Sequence, residues 1–166
     1  MAAPGSLPLI LVVDDDPEAL LLIQRLLQKG GVNNPIATAT NGAEAIKHLR
    51  HACLAGGGTR SLKPALVFLD IHMPVRDGFE VLRWIRRRRA YRHAKVVMLS
   101  SSDDAKDLAR AGSLSVDAYL YKFPSPAVLA ATVHQAFAAR APTAGGTAAR
   151  RAHSPSGRRS ETRMSG

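Results

Sequence analysis

The chain is short of sulfur, aromatic rings and long apolar stretches, and each shortage closes a class of function. Its one cysteine, Cys53, cannot form an internal disulfide, and a structural zinc site built on cysteine pairs lacks its ligands. A reducing compartment is expected. Phe, Trp and Tyr make up only 5% of the residues, too few to tile a surface on which bases stack, so Leu, Val, Ile and Ala must fill the core. The opening MAAPGSLP, ahead of LILVV, has neither a basic leader nor an apolar run of membrane length. We therefore expect a cytoplasmic, unanchored protein, with residues 1–8 as a short extension. At 166 residues there is little room for a second folded domain.

What the chain has in excess is positive charge. Twenty-three Lys and Arg against thirteen Asp and Glu leave +10, a balance that invites a polyanionic partner. Part of it is segregated: beyond Arg140 stand Arg150, Arg151, Arg158, Arg159 and Arg163 against Glu161 alone, among Ala, Gly, Ser, Thr and Pro. Apolar periodicity stops there, so 141–166 reads as a disordered, Arg-rich tail capable of weak, salt-sensitive contact with polyanions. The run Arg86–Arg89 reads as the solvated end of a helix, where cations complement the macrodipole. No zinc module, recognition helix or stacking aromatics accompany the charge, so no specific nucleic-acid target is expected.

Through residues 9–140, short aliphatic runs alternate with helical periodicity. Leu9–Val13 suits a strand buried on both faces, and Pro17 then opens a helix in which Leu20, Leu21, Ile23, Leu26 and Leu27 recur until Gly30 and Gly31. Ile36–Ala39 is a weaker strand, followed by an Asn41-capped helix with Ala45, Ile46 and Leu49 inward. A flexible loop is expected from Leu54 to Lys63, around Gly56, Gly57 and Gly58. Leu66–Leu69, Val96–Leu99 and Tyr119–Tyr121 supply three more strands. Helices marked by Phe79, Val81, Leu82 and Ile85, by Leu108 and Leu114 behind Asp103 and Asp104, and by Val128, Leu129, Val133 and Phe137 follow them. Five strand–helix units in strict alternation predict an α/β fold: a doubly wound, five-stranded parallel sheet with helices on both faces.

In such a sheet ligands collect beyond the carboxyl ends of the strands. There the sequence places Asp14, Asp15 and Asp16 after strand one, Asp70 at the end of strand three, Ser100 and Ser101 after strand four, and Lys122 after strand five. Carboxylates, a hydroxyl and an ammonium on one rim suit a hard divalent cation and a phosphoryl group, with Asp15 and Asp70 as candidate ligands for Mg2+. Asp16 reads instead as a helix cap.

The ordered segments VVDDDP, FLDIHMPVRDG, VMLSSS and YLYKFP resemble the receiver domains of two-component response regulators, over roughly Leu9 to Arg140. The resemblance implies the flavodoxin-like (βα)5 receiver fold with strand order 2-1-3-4-5. It also implies Asp70 as phosphoryl acceptor, with Asp14, Asp15, Asp70 and the His72 backbone carbonyl around Mg2+. Ser100 would be the switch hydroxyl, with Ser101 beside it, Tyr119 the switch aromatic and Lys122 the phosphate-binding lysine. A sensor histidine kinase would be the phosphodonor. The loop before strand three and the RRRRAYRHAKVV stretch resemble the stand-alone regulators paired with phytochrome-type kinases. Downstream the resemblance implies an unnamed protein target, with a second copy of the chain as a candidate partner.

Two positions depart from the family pattern. Phe123 separates Lys122 from Pro124, so the peptide after the lysine is not an X-Pro bond, and Ser115 stands where a glycine is usual after the fourth helix. Two alternatives compete with a phosphorylation-dependent switch. One is a receiver-like scaffold that works without phosphorylation, which the full set of site residues opposes. The other is a small Mg-dependent phosphatase, whose typical Asp-x-Asp-x-Thr or Val motif after the first strand is supplied by neither VVDDDP nor LDIHM.

Overall fold

The computed structural model describes residues 7–54, 63–101 and 104–138. Five strands, β1 (Ile10–Val13), β2 (Ile36–Ala39), β3 (Leu66–Asp70), β4 (Lys95–Ser100) and β5 (Ala118–Tyr121), alternate with five helices. These are α1 (Pro17–Lys29), α2 (Gly42–Leu54), α3 (Gly78–Arg86), α4 (Ala105–Ser113) and α5 (Pro126–Ala138), with a single 3-10 turn at Arg89–Tyr91 before β4. All four strand pairings are parallel and the order is β2-β1-β3-β4-β5, as the resemblance implied.

The period-two geometry of the strands divides their side chains between two cores. Leu11, Val13, Val67, Leu69, Val96 and Met98 pack with Leu49 of α2, with Phe79, Leu82 and Ile85 of α3 and with Ala111 of α4. On the other face Ile10, Val12, Leu66, Phe68, Val97 and Leu99 meet Ile23 and Leu27 of α1 and Leu129 and Val133 of α5. Because β1 and β3 are buried on both sides, every residue in them is apolar until the rim is reached at Asp14 and Asp70.

Helix entries follow the local chemistry. Asp16 accepts a hydrogen bond from Glu18 N at 2.9 Å and Pro17 occupies the first turn. Asn41 accepts from Glu44 N at 2.8 Å, and Asp77 and Glu80 close a reciprocal capping box at the start of α3. Asp104 caps α4, which begins at Ala105.

Several expectations need correction. Leu21 and Val128 are exposed, lying just off the buried stripes of α1 and α5; Leu108 is exposed on α4, where Ala111 is the one buried residue, and Leu114 lies past the end of that helix. Arg86 is not part of a solvated end. It donates to the Ser115 carbonyl at 3.0 Å and the Ala94 carbonyl at 3.0 Å, and pairs with Asp117 at 2.7 Å, which Lys95 also meets at 2.9 Å. Burial works against charge on Asp117, but Lys95, the Val96 amide and Arg86 outweigh it and hold the carboxyl below its ordinary range. The expected glycine loop lies mostly outside the described residues, as do most of the short N-terminal extension, Asp103 and the whole tail 141–166.

Candidate functional site

The carboxyl ends of β1, β3 and β5 meet at one point. Asp14 has no solvent exposure and Asp70 retains only 3%. The Lys122 ammonium, reaching across from beyond β5, lies 2.9 Å from Asp14 Oδ2 and 3.2 Å from Asp70 Oδ1. The other Asp14 oxygen accepts the Asp16 amide at 3.0 Å, which fixes the carboxylate at the mouth of the β1–α1 turn. Asp15 is exposed, and one carboxylate oxygen from each of Asp14, Asp15 and Asp70 falls within 4.8 Å of the others.

Two buried carboxylates share a single ammonium, so the pocket carries an uncompensated negative charge. Burial raises the Asp70 carboxyl, the neighbouring Asp14 charge raises it further, and Lys122 only partly offsets both, leaving it pushed up to about 6. For Lys122, burial opposes the charge, but Asp14 and Asp70 together outweigh it and raise its affinity for the proton. Three hard oxygen donors, net negative and open to solvent through Asp15, fit a divalent cation of the magnesium class.

Local backbone sets these positions. Gly78 opens α3 against the end of β3: a Cβ there would collide with the Asp70 carbonyl oxygen, and its N–H donates to the Ile71 carbonyl at 2.9 Å. Between them Val75, 83% exposed, has φ 70°, a left-handed conformation that a β-branched side chain rarely adopts. Phe123 (φ 58°) and Ser115 (φ 56°) share that region, so both departures from the family pattern occupy strained backbone, the serine in a conformation that favours glycine.

Ser100, fully buried, ends β4, and its carbonyl accepts the Lys122 amide at 2.7 Å, whereas Ser101 is exposed. Tyr119 is half-buried against the α2–α3 core, and its hydroxyl has no hydrogen-bond partner among the described residues. The structure thus brings Asp14, Asp15, Asp70 and Lys122 together, while Ser101 faces solvent.

Sequence reasoning missed the links between the loop after Asp70 and α4. The His72 side chain, 61% exposed, reaches toward α4: its Nε2 lies 2.9 Å from Asp107 Oδ2. Arg110 approaches Asp77 at 3.6 Å and its guanidinium stacks 4.2 Å above the Phe79 ring. Asp107 and Arg110 sit three residues apart on one helix face, the only trace of this arrangement in the sequence.

A doubly wound sheet of order 2-1-3-4-5 with an acidic pocket and a lysine at its carboxyl rim defines the receiver class of signalling proteins. The chain belongs to the response regulator receiver domain family, whose model matches residues 10–134. It is 40% identical over 114 residues to the probable methanogenesis regulatory protein FilR2 of Methanothrix harundinacea, covering 69% of this chain and 71% of that one. The structure of the bacteriophytochrome response regulator AtBRR matches at 33% identity and TM-score 0.66, over 81% of this chain and 94% of the other. The Mn(2+)-bound form of the response regulator Rcp1, a Synechocystis protein, matches at 27% identity and TM-score 0.61, over 77% and 90%. Other curated relatives, named as transcriptional regulatory proteins, are longer, and the chain spans 43% to 48% of three of them. Among the described residues no helix is long and apolar enough to cross a membrane.

Proposed function

We propose that residues 9–140 act as a phosphorylation-dependent switch, in which Asp70 accepts a phosphoryl group from a histidine kinase. The observation that carries this reading is the buried Asp14–Lys122–Asp70 cluster, 2.9 and 3.2 Å across its two ion pairs, open to solvent on the Asp15 side. An ionised Asp70 oxygen attacks phosphorus, an O–P bond forms, the donor's N–P bond breaks, and the freed imidazole takes its proton from solvent. Lys122 is placed to follow the charge from the carboxylate to the transferred phosphoryl oxygens. Asp14, Asp15, Asp70 and the His72 carbonyl would hold Mg2+, which supplies charge neutralisation on the transferring oxygens. That Rcp1 has been obtained with Mn(2+) supports a divalent cation here.

Once the phosphoryl group is in place, Ser100 can turn its hydroxyl toward it, with Ser101 next along the chain. The Tyr119 hydroxyl, without a partner among the described residues, gives that ring a reason to shift as the β4–α4 connection moves. Such a device changes state rather than turning over substrate, and its output is a changed surface offered to a protein partner. The likeness to AtBRR supports a phytochrome-type kinase as donor.

The test is incubation with a small phosphodonor, with Mg2+ or with excess chelator, followed by intact-mass analysis. One phosphoryl group is expected with Mg2+ and almost none with chelator. No mass gain in either arm would favour a scaffold that works unphosphorylated.

The acidic run gives a second test. Asp15 is exposed beside the other carboxylates, whereas Asp16 is spent on capping α1. Asp15→Ala should weaken Mg2+ binding at least tenfold more than Asp16→Ala, whose main effect should be about 1 kcal/mol of lost stability. Calorimetric metal titration reads both, and equal losses of affinity would overturn the assignment of Asp15.

A further inference from the structure

We propose that the end of the domain opposite Asp70 is a sequence-independent docking surface for a nucleic-acid phosphate backbone. Residues 83–95 hold six arginines and Lys95 and no carboxylate. Residues 1–140 together carry +6, and without this segment they would be net −1, so the basicity of the domain is concentrated here. Arg86 and Lys95 share the single carboxylate of Asp117. Arg83, Arg87, Arg88, Arg89 and Arg92 have no carboxylate partner among the described residues, and the last four of them are exposed. Clustered like charges repel one another, and a polyanion relieves that repulsion.

Topology separates this surface from the acidic pocket. Helix α3 ends and β4 begins at the amino end of the sheet, so the arginines lie far from Asp14 and Asp70 at its carboxyl end. Helix α5 starts beyond β5 and runs back toward the same amino end. There the described residues stop at Ala138, and the sequence that follows holds six arginines and one glutamate. A cleft of about 560 Å³ lined by Arg86, Arg92, His93, Lys95, Ser115 and Asp117 gives the surface some relief.

The chemistry favours phosphates over a folded protein. Six of the seven cations are arginines, whose planar forks match phosphate oxygens. No large hydrophobic residue is exposed between positions 83 and 95, so a folded partner would find no apolar centre. Trp84 is covered by Arg88, 4.8 Å from its ring, which removes it from base stacking and leaves the backbone as the target. This inference stands independently of whether Asp70 is phosphorylated.

The test measures binding of the full chain to a fluorescent duplex of mixed sequence across a salt series, by anisotropy. The triple variant Arg87→Glu, Arg89→Glu, Arg92→Glu is compared with Arg25→Glu, Lys47→Glu, Lys106→Glu, which makes the same net charge change at exposed positions elsewhere. Circular dichroism verifies that both fold. We expect the first triple to bind on the order of tenfold more weakly than the second and to lose about three from its log–log salt slope, at roughly 0.9 per phosphate contact. Equal weakening would overturn the surface, since net charge alone would then explain the binding. Failure of the wild-type chain to bind would overturn it too. Tighter binding to polyglutamate than to duplex of equal charge would replace the nucleic acid with an acidic protein segment.

Discussion

Lys122→Ala should cost about 3–5 kcal/mol of folding free energy at pH 7 without divalent cations, the range observed when one partner of a buried charge cluster is removed. The reason is geometric. Asp14 is fully buried and Asp70 nearly so, and the ammonium at 2.9 and 3.2 Å is the only cation paired with either among the described residues. Without it two like charges face each other in a poorly solvated pocket. Lys122 has a raised pKa, so its contribution is present below its unfolded value of 10.5 and fades only as pH climbs through the higher folded value. The carboxylates set the lower limit: once Asp70 is protonated, below about 6, the lysine loses one of its partners and the variant's deficit should shrink. Urea unfolding of wild type and variant at pH 5 and 7.5 measures this. Adding Mg2+ should recover part of the loss, and so should Asp70→Asn in the same chain. A deficit under 1 kcal/mol at pH 7.5 would mean that the cluster is far better solvated than its burial indicates.

Asp70→Asn, by contrast, should stabilise the metal-free protein at neutral pH. For an acid whose pKa is raised in the fold, stability is fully present below the unfolded value and is lost as pH rises through the folded one. Here that window runs from 3.8 to about 6. Above it the wild type carries the whole cost of an ionised, buried Asp70, about 3 kcal/mol by linkage. Asparagine carries none at any pH. Unfolding curves should therefore separate by up to that amount at pH 7.5 and converge below pH 4, and saturating Mg2+ should close much of the gap by stabilising the wild type alone. A variant less stable than wild type at pH 7.5 would show that Asp70 makes compensating bonds that its burial and charge do not reveal.

These two results pull in opposite directions because the pocket holds more negative than positive charge, and much of that was legible in the sequence. Strands buried on both faces must read as short aliphatic runs, so the first polar residue after each run marks the rim. Asp14, Asp70 and Ser100 could be located by that argument alone, whereas Lys122 follows a half-buried edge strand and was found from its place at the end of the fifth strand. The capping roles of Asp16 and Asn41 were legible for a similar reason, since a helix entry is a local event spanning three or four residues.

What was hidden depends on residues far apart in the chain. Arg86 and Asp117 are 31 positions apart, and nothing in the run of arginines distinguishes the one drawn inward from those left in solvent. The pairing of His72 with Asp107 depends on how α4 lies over the loop after β3, a packing outcome rather than a pattern. The exposed Leu21 and Val128 show the limit of periodicity: helical spacing identifies a stripe but not its edge. The positive φ of Val75 and Phe123 was equally invisible, because neither is a residue type that announces a left-handed turn; only Ser115, at a position where the family usually has glycine, gave a sign of it.

The most direct test of the central claim is the site of the phosphoryl group. Wild-type protein and Asp70→Asn would be incubated in parallel with Mg2+ and a small phosphodonor, and their intact masses compared. Circular dichroism would establish that both are folded. The wild type should gain one phosphoryl group, and the variant, with every other site residue in place, should gain none. Equal labelling of the two would contradict the assignment of Asp70 and, with it, the account of the site.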